Sequence, residues 1–442
     1  MKRWRGLARM VFRVLAGAGL LAPAVAVQAQ DGGEAALRAR IDQVVAIMQG
    51  KEQPSSAAVF DARFLDAVPP EKLHALASQL TTQGGALESW SAFRREKQGS
   101  ATFTLHFANA TAPARIELNP NPPGLVSGFR IFALAPSGDT AEQIAAQFAQ
   151  LPGKAGFAVY RLGDGAPRLS HGRETATPFA VGSSFKLYVL AAIARQVKEG
   201  RRHWTDIVPV SGKSFPSGTI HTLPEGAPVT LHTLASLMIS ISDNTATDIL
   251  VRLAGQEALA REVRLAGHAD PAALTPMLTT AQLFALKRAL THGAPQTAER
   301  YVHASGAERQ RLLDGLDLAA VAHADPGEVF GHGPVAIGEI EWFASPADLA
   351  GVMDDLRRLG SPEALDILAI NPAMDDASAR LWSYLGYKGG SEDGVMSMTW
   401  LLRDKAGRWS VVTGSWNDPN APLDTERFET LMLRLAKVSA AQ

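Results

Sequence analysis

Hydrophobic positions early in the chain fall first at helical and then at alternating spacing. Leu37, Ile41, Val44, Val45 and Met48 recur on one helical face. After Pro69-Pro70 a second helix places Leu73, Leu76 and Leu80 together. Phe103, Leu105 and Phe107 then alternate with polar residues, and the stretches 114–118 and 125–133 continue the strand character. Helices followed by consecutive strands predict a small α+β domain over residues 31–137, with a curved sheet around the helices. Pro136-Ser137-Gly138-Asp139 marks a boundary to a second region, 138–442. There Thr140 to Leu151 reads as a connecting helix, and Gly156 to Leu162 with Ala166 to Ser170 as a hairpin across Gly163-Asp164-Gly165. The pattern is mostly helical from 183 to about 360 and returns to strand over 381–417. Leu423 to Val438 predicts a closing helix.

Residues 1–29 read differently. Lys2, Arg3, Arg5, Arg9 and Arg13 precede an apolar stretch from Val14 to Val27, and Val27-Gln28-Ala29 offers small residues for cleavage. This is the layout of a signal peptide, so a periplasmic or secreted protein is expected. A membrane anchor is the other reading, but Pro23 interrupts the run and it is short for a span. Removing five basic residues takes the net charge from −1 to −6. With 46% hydrophobic and 20% charged residues the composition is that of a soluble globular protein, and no basic stripe points to nucleic acid. There is no cysteine, which excludes disulfides. The eleven histidines lack ligand spacing, His323 and His332 being the nearest to a pair, so neither a metal nor a cofactor is expected.

The candidate chemistry begins at Ser183-Ser184-Phe185-Lys186. The apolar positions Leu187, Leu190, Ala194 and Val197 follow at helical spacing until Gly200. A helix starting near Ser183 sets Ser183 and Lys186 one turn apart on one face. A lysine whose pKa is lowered by burial can take a serine's proton, and a helix N-terminus favours a developing oxyanion. Ser242-Asp243-Asn244 lies between two apolar helical runs, and Lys388-Gly389-Gly390 lies in a strand-like stretch after Trp382, Tyr384 and Tyr387.

Ser-x-x-Lys, Ser-Asp-Asn and a variant of Lys-[Thr/Ser]-Gly, in that order, resemble the motif set of the serine β-lactamase and penicillin-binding protein superfamily over about residues 150 to 440. The resemblance implies an α+β catalytic domain with sheet at both sequence ends and helices between. It implies Ser183 as nucleophile, Lys186 as its proton acceptor, and Ser242 passing a proton between Lys186 or Lys388 and the leaving group. Asn244 would bind a substrate amide, and the backbone N–H groups of Ser183 and Ser391 would form the oxyanion hole beside Gly390. Two departures stand out. Gly389 replaces the hydroxyl residue, which Ser391 would supply only from a regular strand, and no Glu-x-x-Leu-Asn motif is present. Glu328, Glu339 and Glu341 are the candidates for a deacylation base, against the reading of all three as solvated acids. Pro216-Ser217-Gly218, Val229 to Asp248, Glu341 to Ser345 and Gly386 to Gly394 further resemble two-domain serine hydrolases of the clavulanic-acid-cluster type. In those proteins the first domain is cone-shaped, of the nuclear-transport-factor-2 (NTF2) or ketosteroid-isomerase kind. The expected protein is a monomeric hydrolase acting on a small molecule (a β-lactam, an ester or a peptidoglycan fragment), with slow deacylation. A DD-peptidase or esterase, and a penicillin-recognising sensor, are the rival expectations.

Overall fold

The computed structural model describes residues 28–132, 134–136, 138–214, 217–292, 295–319, 333–374 and 376–440. Most of the signal-peptide reading, Pro216, Glu328, His323 and His332 lie outside the described residues. The chain divides into two compact units, one ending at Gly138 and the other beginning at Asp139. Among the described residues, no helix is long and apolar enough to cross a membrane.

In the first unit α1 (Gln28–Met48) and α2 (Pro70–Gly84) precede a five-stranded antiparallel sheet, a four-strand meander with the short strand Ala135–Pro136 paired to its third strand. The meander strands are β1 (Leu87–Lys97), β2 (Ser100–Phe107), β3 (Ala110–Leu118) and β4 (Val126–Ile131). Leu37, Ile41 and Val44 of α1 bury themselves with Phe103, Leu105 and Ile116 of the sheet. Strand β1 escapes the alternation rule. Its ladder with β2 is broken by three register shifts, so side-chain facing does not hold period two along its length.

The second unit opens with α3 (Ala141–Phe148), closed at its start by a reciprocal capping box between Thr140 and Gln143. β5 (Lys154–Leu162) and β6 (Arg168–Arg173) follow. A tight helical turn over Gly182–Phe185 then leads into α4 (Lys186–Lys198). α4 is apolar nearly all round, and every residue from Lys186 to Ala194 is buried, so it runs through the core rather than along the surface. Around it stand α5 (Leu231–Ser240), α6 (Asn244–Ala254), α7 (Gln256–Leu265), α8 (Thr280–His292) and α9 (Pro346–Leu359). Arg195 fixes α4 to two of these neighbours, bonding Glu262 of α7 at 2.7 Å and Asp355 of α9 at 2.7 Å.

The chain returns to the sheet in β7 (Trp382–Glu392), β8 (Val395–Asp404) and β9 (Trp409–Asn417), and ends in α10 (Thr425–Ala440). The sheet order is β7-β8-β9-β5-β6, antiparallel throughout, which joins the two sequence ends of the unit and leaves β7 at an edge. One sheet face carries a core with α3 and α10, built on Phe148, Phe157, Trp400, Trp416 and Phe428. The larger core, on the other side, surrounds α4.

Candidate active site

Ser183 does not open an α-helix. It sits inside the Gly182–Phe185 turn, and the α-helix proper starts at Lys186. The reason lies in the neighbouring strand. Gly182 has φ +47, and a Cβ added to it would stand 3.2 Å from the backbone nitrogen of Ser391. A Cβ on Gly390 would meet the carbonyl of Val181 and the amide nitrogens of Ser183 and Ser184, the last at 2.7 Å. β7 thus lies directly on the serine turn, an approach only glycine permits. The contact brings the amides of Ser183 and Ser391 to one place.

Lys186 is fully buried, and its amine donates to the Ser242 carbonyl at 2.8 Å, to Ser242 Oγ at 3.0 Å and to Asn244 Oδ1 at 2.9 Å. Burial holds its pKa well below the usual 10.5, and Lys388 lowers it further against the pull of Asp248 and Asp243. Lys388 comes from β7 and donates to the same Ser242 hydroxyl at 3.2 Å. Burial brings its pKa to about 7. Ser242 Oγ therefore stands between two amines whose ammonium forms are disfavoured by burial. Among the described residues, Ser183 Oγ makes no hydrogen bond to Lys186.

The Ser242 segment is held by Asp243. One carboxylate oxygen caps α6 at the amide of Ala246, and the other accepts from the amides of Thr219 and Ile220. Asn244 N–H donates to the Ser217 carbonyl at 3.0 Å, and Ser217 Oγ donates to the Ser242 carbonyl at 3.2 Å. Ser217, which the motif reading left without a role, is thus a support of the site.

A cleft of about 500 Å³ joins these groups. Ser183, Ser242, Asn244, Lys388, Gly390 and Ser391 all line it. Glu341 lines it too, but its carboxylate is bound to Lys287 at 2.9 Å and to the amide of Trp342 at 3.1 Å. Glu392, absent from the sequence reading, shares the same Lys287 and also faces the cleft. Burial and the neighbouring Glu341 push the Glu392 carboxyl well above its ordinary range. Glu339 is exposed and does not line this cleft, so the structure gives it no place at the serine. Among the described residues, no cluster of ligating side chains that could hold a metal ion is found.

Comparison with known proteins follows the same lines. Residues 139–316 match the model of the β-lactamase enzyme family. No curated protein matches the chain. Among solved structures, a β-lactamase from Sphaerobacter thermophilus DSM 20745 is 22% identical with a TM-score of 0.44, over 68% of this chain and 96% of its own. A mutant of PBP-A in its acyl-enzyme complex with penicillin G is 18% identical with a TM-score of 0.46, over 68% and 96%. The last common ancestor of Gram-negative bacteria class A β-lactamases is 17% identical with a TM-score of 0.47, over 68% and 99%. The matched family stretch, residues 139–316, contains Ser183, Lys186, Ser242 and Asn244, so this part of the second unit is similar to the β-lactamase enzyme family.

Proposed function

We propose that the protein is an exported active-site-serine hydrolase that forms an acyl-enzyme on Ser183 from a β-lactam or a small ester. The observation that carries this reading is Ser242 Oγ bonded to two buried amines at the edge of the cleft that Ser183 lines. Neutral Lys186 accepts the Ser183 proton as Oγ attacks the carbonyl carbon, and the resulting oxyanion is received by the amides of Ser183 and Ser391. The carbon–nitrogen or carbon–oxygen bond then breaks. Ser242 gives its proton to the leaving atom and is reprotonated from Lys186 or Lys388. Water later cleaves the ester on Ser183. The missing contact between Ser183 and Lys186 is no obstacle, since catalytic hydrogen bonds often tighten only in the substrate complex.

Slow deacylation follows from Glu341. Glu341 lines the cleft, but its carboxylate oxygens are engaged by the Lys287 amine and the Trp342 amide rather than held ready for a water at the ester. A DD-peptidase or esterase using the same residues is the second reading, favoured by Gly389 in place of a hydroxyl residue. The substrate is a small molecule and the protein a monomer. We read the first unit, helices against a curved sheet, as an NTF2-like cone with a structural or gating role. The test of the nucleophile is labelling by a fluorescent penicillin and by a fluorophosphonate. Ser183→Ala should abolish both while the thermal midpoint is kept. Labelling that persists at another serine would remove the assignment.

A further inference from the structure

The hydroxyl that Lys388-Gly389-Gly390 lacks is supplied from two residues earlier in the same strand. β7 pairs with β8 residue for residue from Tyr384 to Glu392, so Tyr387, Gly389 and Ser391 share one face. A Cβ added to Gly389 would collide with the hydroxyl of Tyr387, standing 2.9 Å from its Cζ and 3.1 Å from the carbonyl of Ser397. The tip of the phenol fills the volume that a side chain at 389 would occupy, and the glycine admits it.

The ring is fixed where it stands. It packs on Trp400 with centroids 5.1 Å apart, and Trp400 is itself fully buried and tied by its indole nitrogen to the Pro372 carbonyl at 2.8 Å. The hydroxyl, by contrast, makes no hydrogen bond to any described residue. Tyr384 in the same strand donates to the Leu365 carbonyl at 2.7 Å. Tyr387 lines the cleft together with Ser183 and Lys388. Burial and the nearby Glu429 carboxylate push its pKa above the ordinary phenol range, so it remains an O–H donor throughout the neutral range.

We propose that Tyr387 Oη is a specificity-determining donor that receives a carboxylate oxygen of the acyl substrate at the edge of β7. Lys388 lies on the opposite strand face, with its amine in the cleft at Ser242, so an amine that burial brings to a pKa of about 7, and that carries its charge below that pH, flanks that edge with the phenol hydroxyl. A hydrogen bond to a charged acceptor is about twice as strong as one to a neutral oxygen, which favours a carboxylate over a carbonyl there. Three acids oppose this. Glu341 and Glu392 are bound to Lys287, and burial together with the neighbouring Glu426 pushes the Glu429 carboxyl above its ordinary range, which favours its uncharged form.

The proposal rests on the serine-hydrolase reading, and its test separates the two. Steady-state constants are measured for a chromogenic cephalosporin as the free acid and as its methyl ester, with fluorophosphonate labelling of Ser183 run on every variant. Tyr387→Phe should raise KM for the acid about tenfold or more, as expected for loss of a hydrogen bond to a charged group. The ester should change less than about twofold, because an ester oxygen takes only the weaker neutral hydrogen bond. Gly389→Ala, which pushes the phenol aside, should reproduce the loss. Equal effects on acid and ester, or none on either, with Ser183 still labelled, would overturn the role of Tyr387 alone. Loss of labelling in the unmodified protein would instead overturn the nucleophile.

Discussion

Ser242 has φ +59, a left-handed conformation that a serine adopts only at a cost of order 1–3 kcal/mol. The cost is sustained because the next residue, Asp243, is anchored to the amides of Ala246, Thr219 and Ile220, and the twist lets carbonyl and hydroxyl both reach Lys186. Lys388, on the other side of the same hydroxyl, carries the pH dependence. Its folded pKa of about 7 lies below the usual 10.5. Between those values the unfolded chain holds a proton that the folded chain does not, so stability rises with pH over that window. Below pH 7 the cost of burying the ammonium is present in full. Lys186, lowered for the same reason, acts with the same sign. Urea midpoints should therefore increase from about pH 7 to pH 9, and Lys388→Met should flatten part of that rise. KM for a carboxylate substrate should move the opposite way, worsening as Lys388 loses its proton above pH 7. A midpoint independent of pH across this window would show that Lys388 is not held neutral.

At the scale of elements, the site is a contact between the edge strand β7 and the turn that holds Ser183. Apolar spacing predicted the helix after Ser183 but placed its start three residues early, because periodicity registers the buried face and not the hydrogen-bond pattern of the first turn. What tightens that turn is β7 pressing on it, a contact between segments more than two hundred positions apart. Gly390 is where it can be tested. Gly390→Ala would drive a methyl into the amides of Ser183 and Ser184. Displacing one oxyanion donor should lower the acylation rate roughly 10²–10³-fold. Overpacking should cost about 1–3 kcal/mol of stability in a denaturant titration. An alanine variant that acylates at the normal rate would mean that the strand does not help to form the oxyanion hole.

At the scale of the whole molecule, local and periodic features were legible and distant partnerships were not. The helices over Leu37 to Met48 and Leu73 to Leu80 could be read because each buries a single face. The two sequence ends of the sheet showed as alternating or continuous apolar runs. Ser183 and Lys186 lie within one turn, and Ser242, Asn244 and Lys388 were found by the order of their motifs. Lys287 pairs with residues 54 and 105 positions away, which no spacing rule connects, and that is why Glu392 and the engagement of Glu341 went unread. Tyr387 was different. Strand alternation already placed it on the face of Gly389, but only the structure shows its hydroxyl filling that position. The central claim is that Ser183 is acylated faster than it is freed. Intact-mass spectrometry over time with a penicillin tests this most directly. The account predicts an adduct of full penicillin mass on Ser183 that forms in an early burst and decays slowly while hydrolysed product accumulates. No adduct and no turnover, or burst-free hydrolysis with no adduct ever detected, would contradict it.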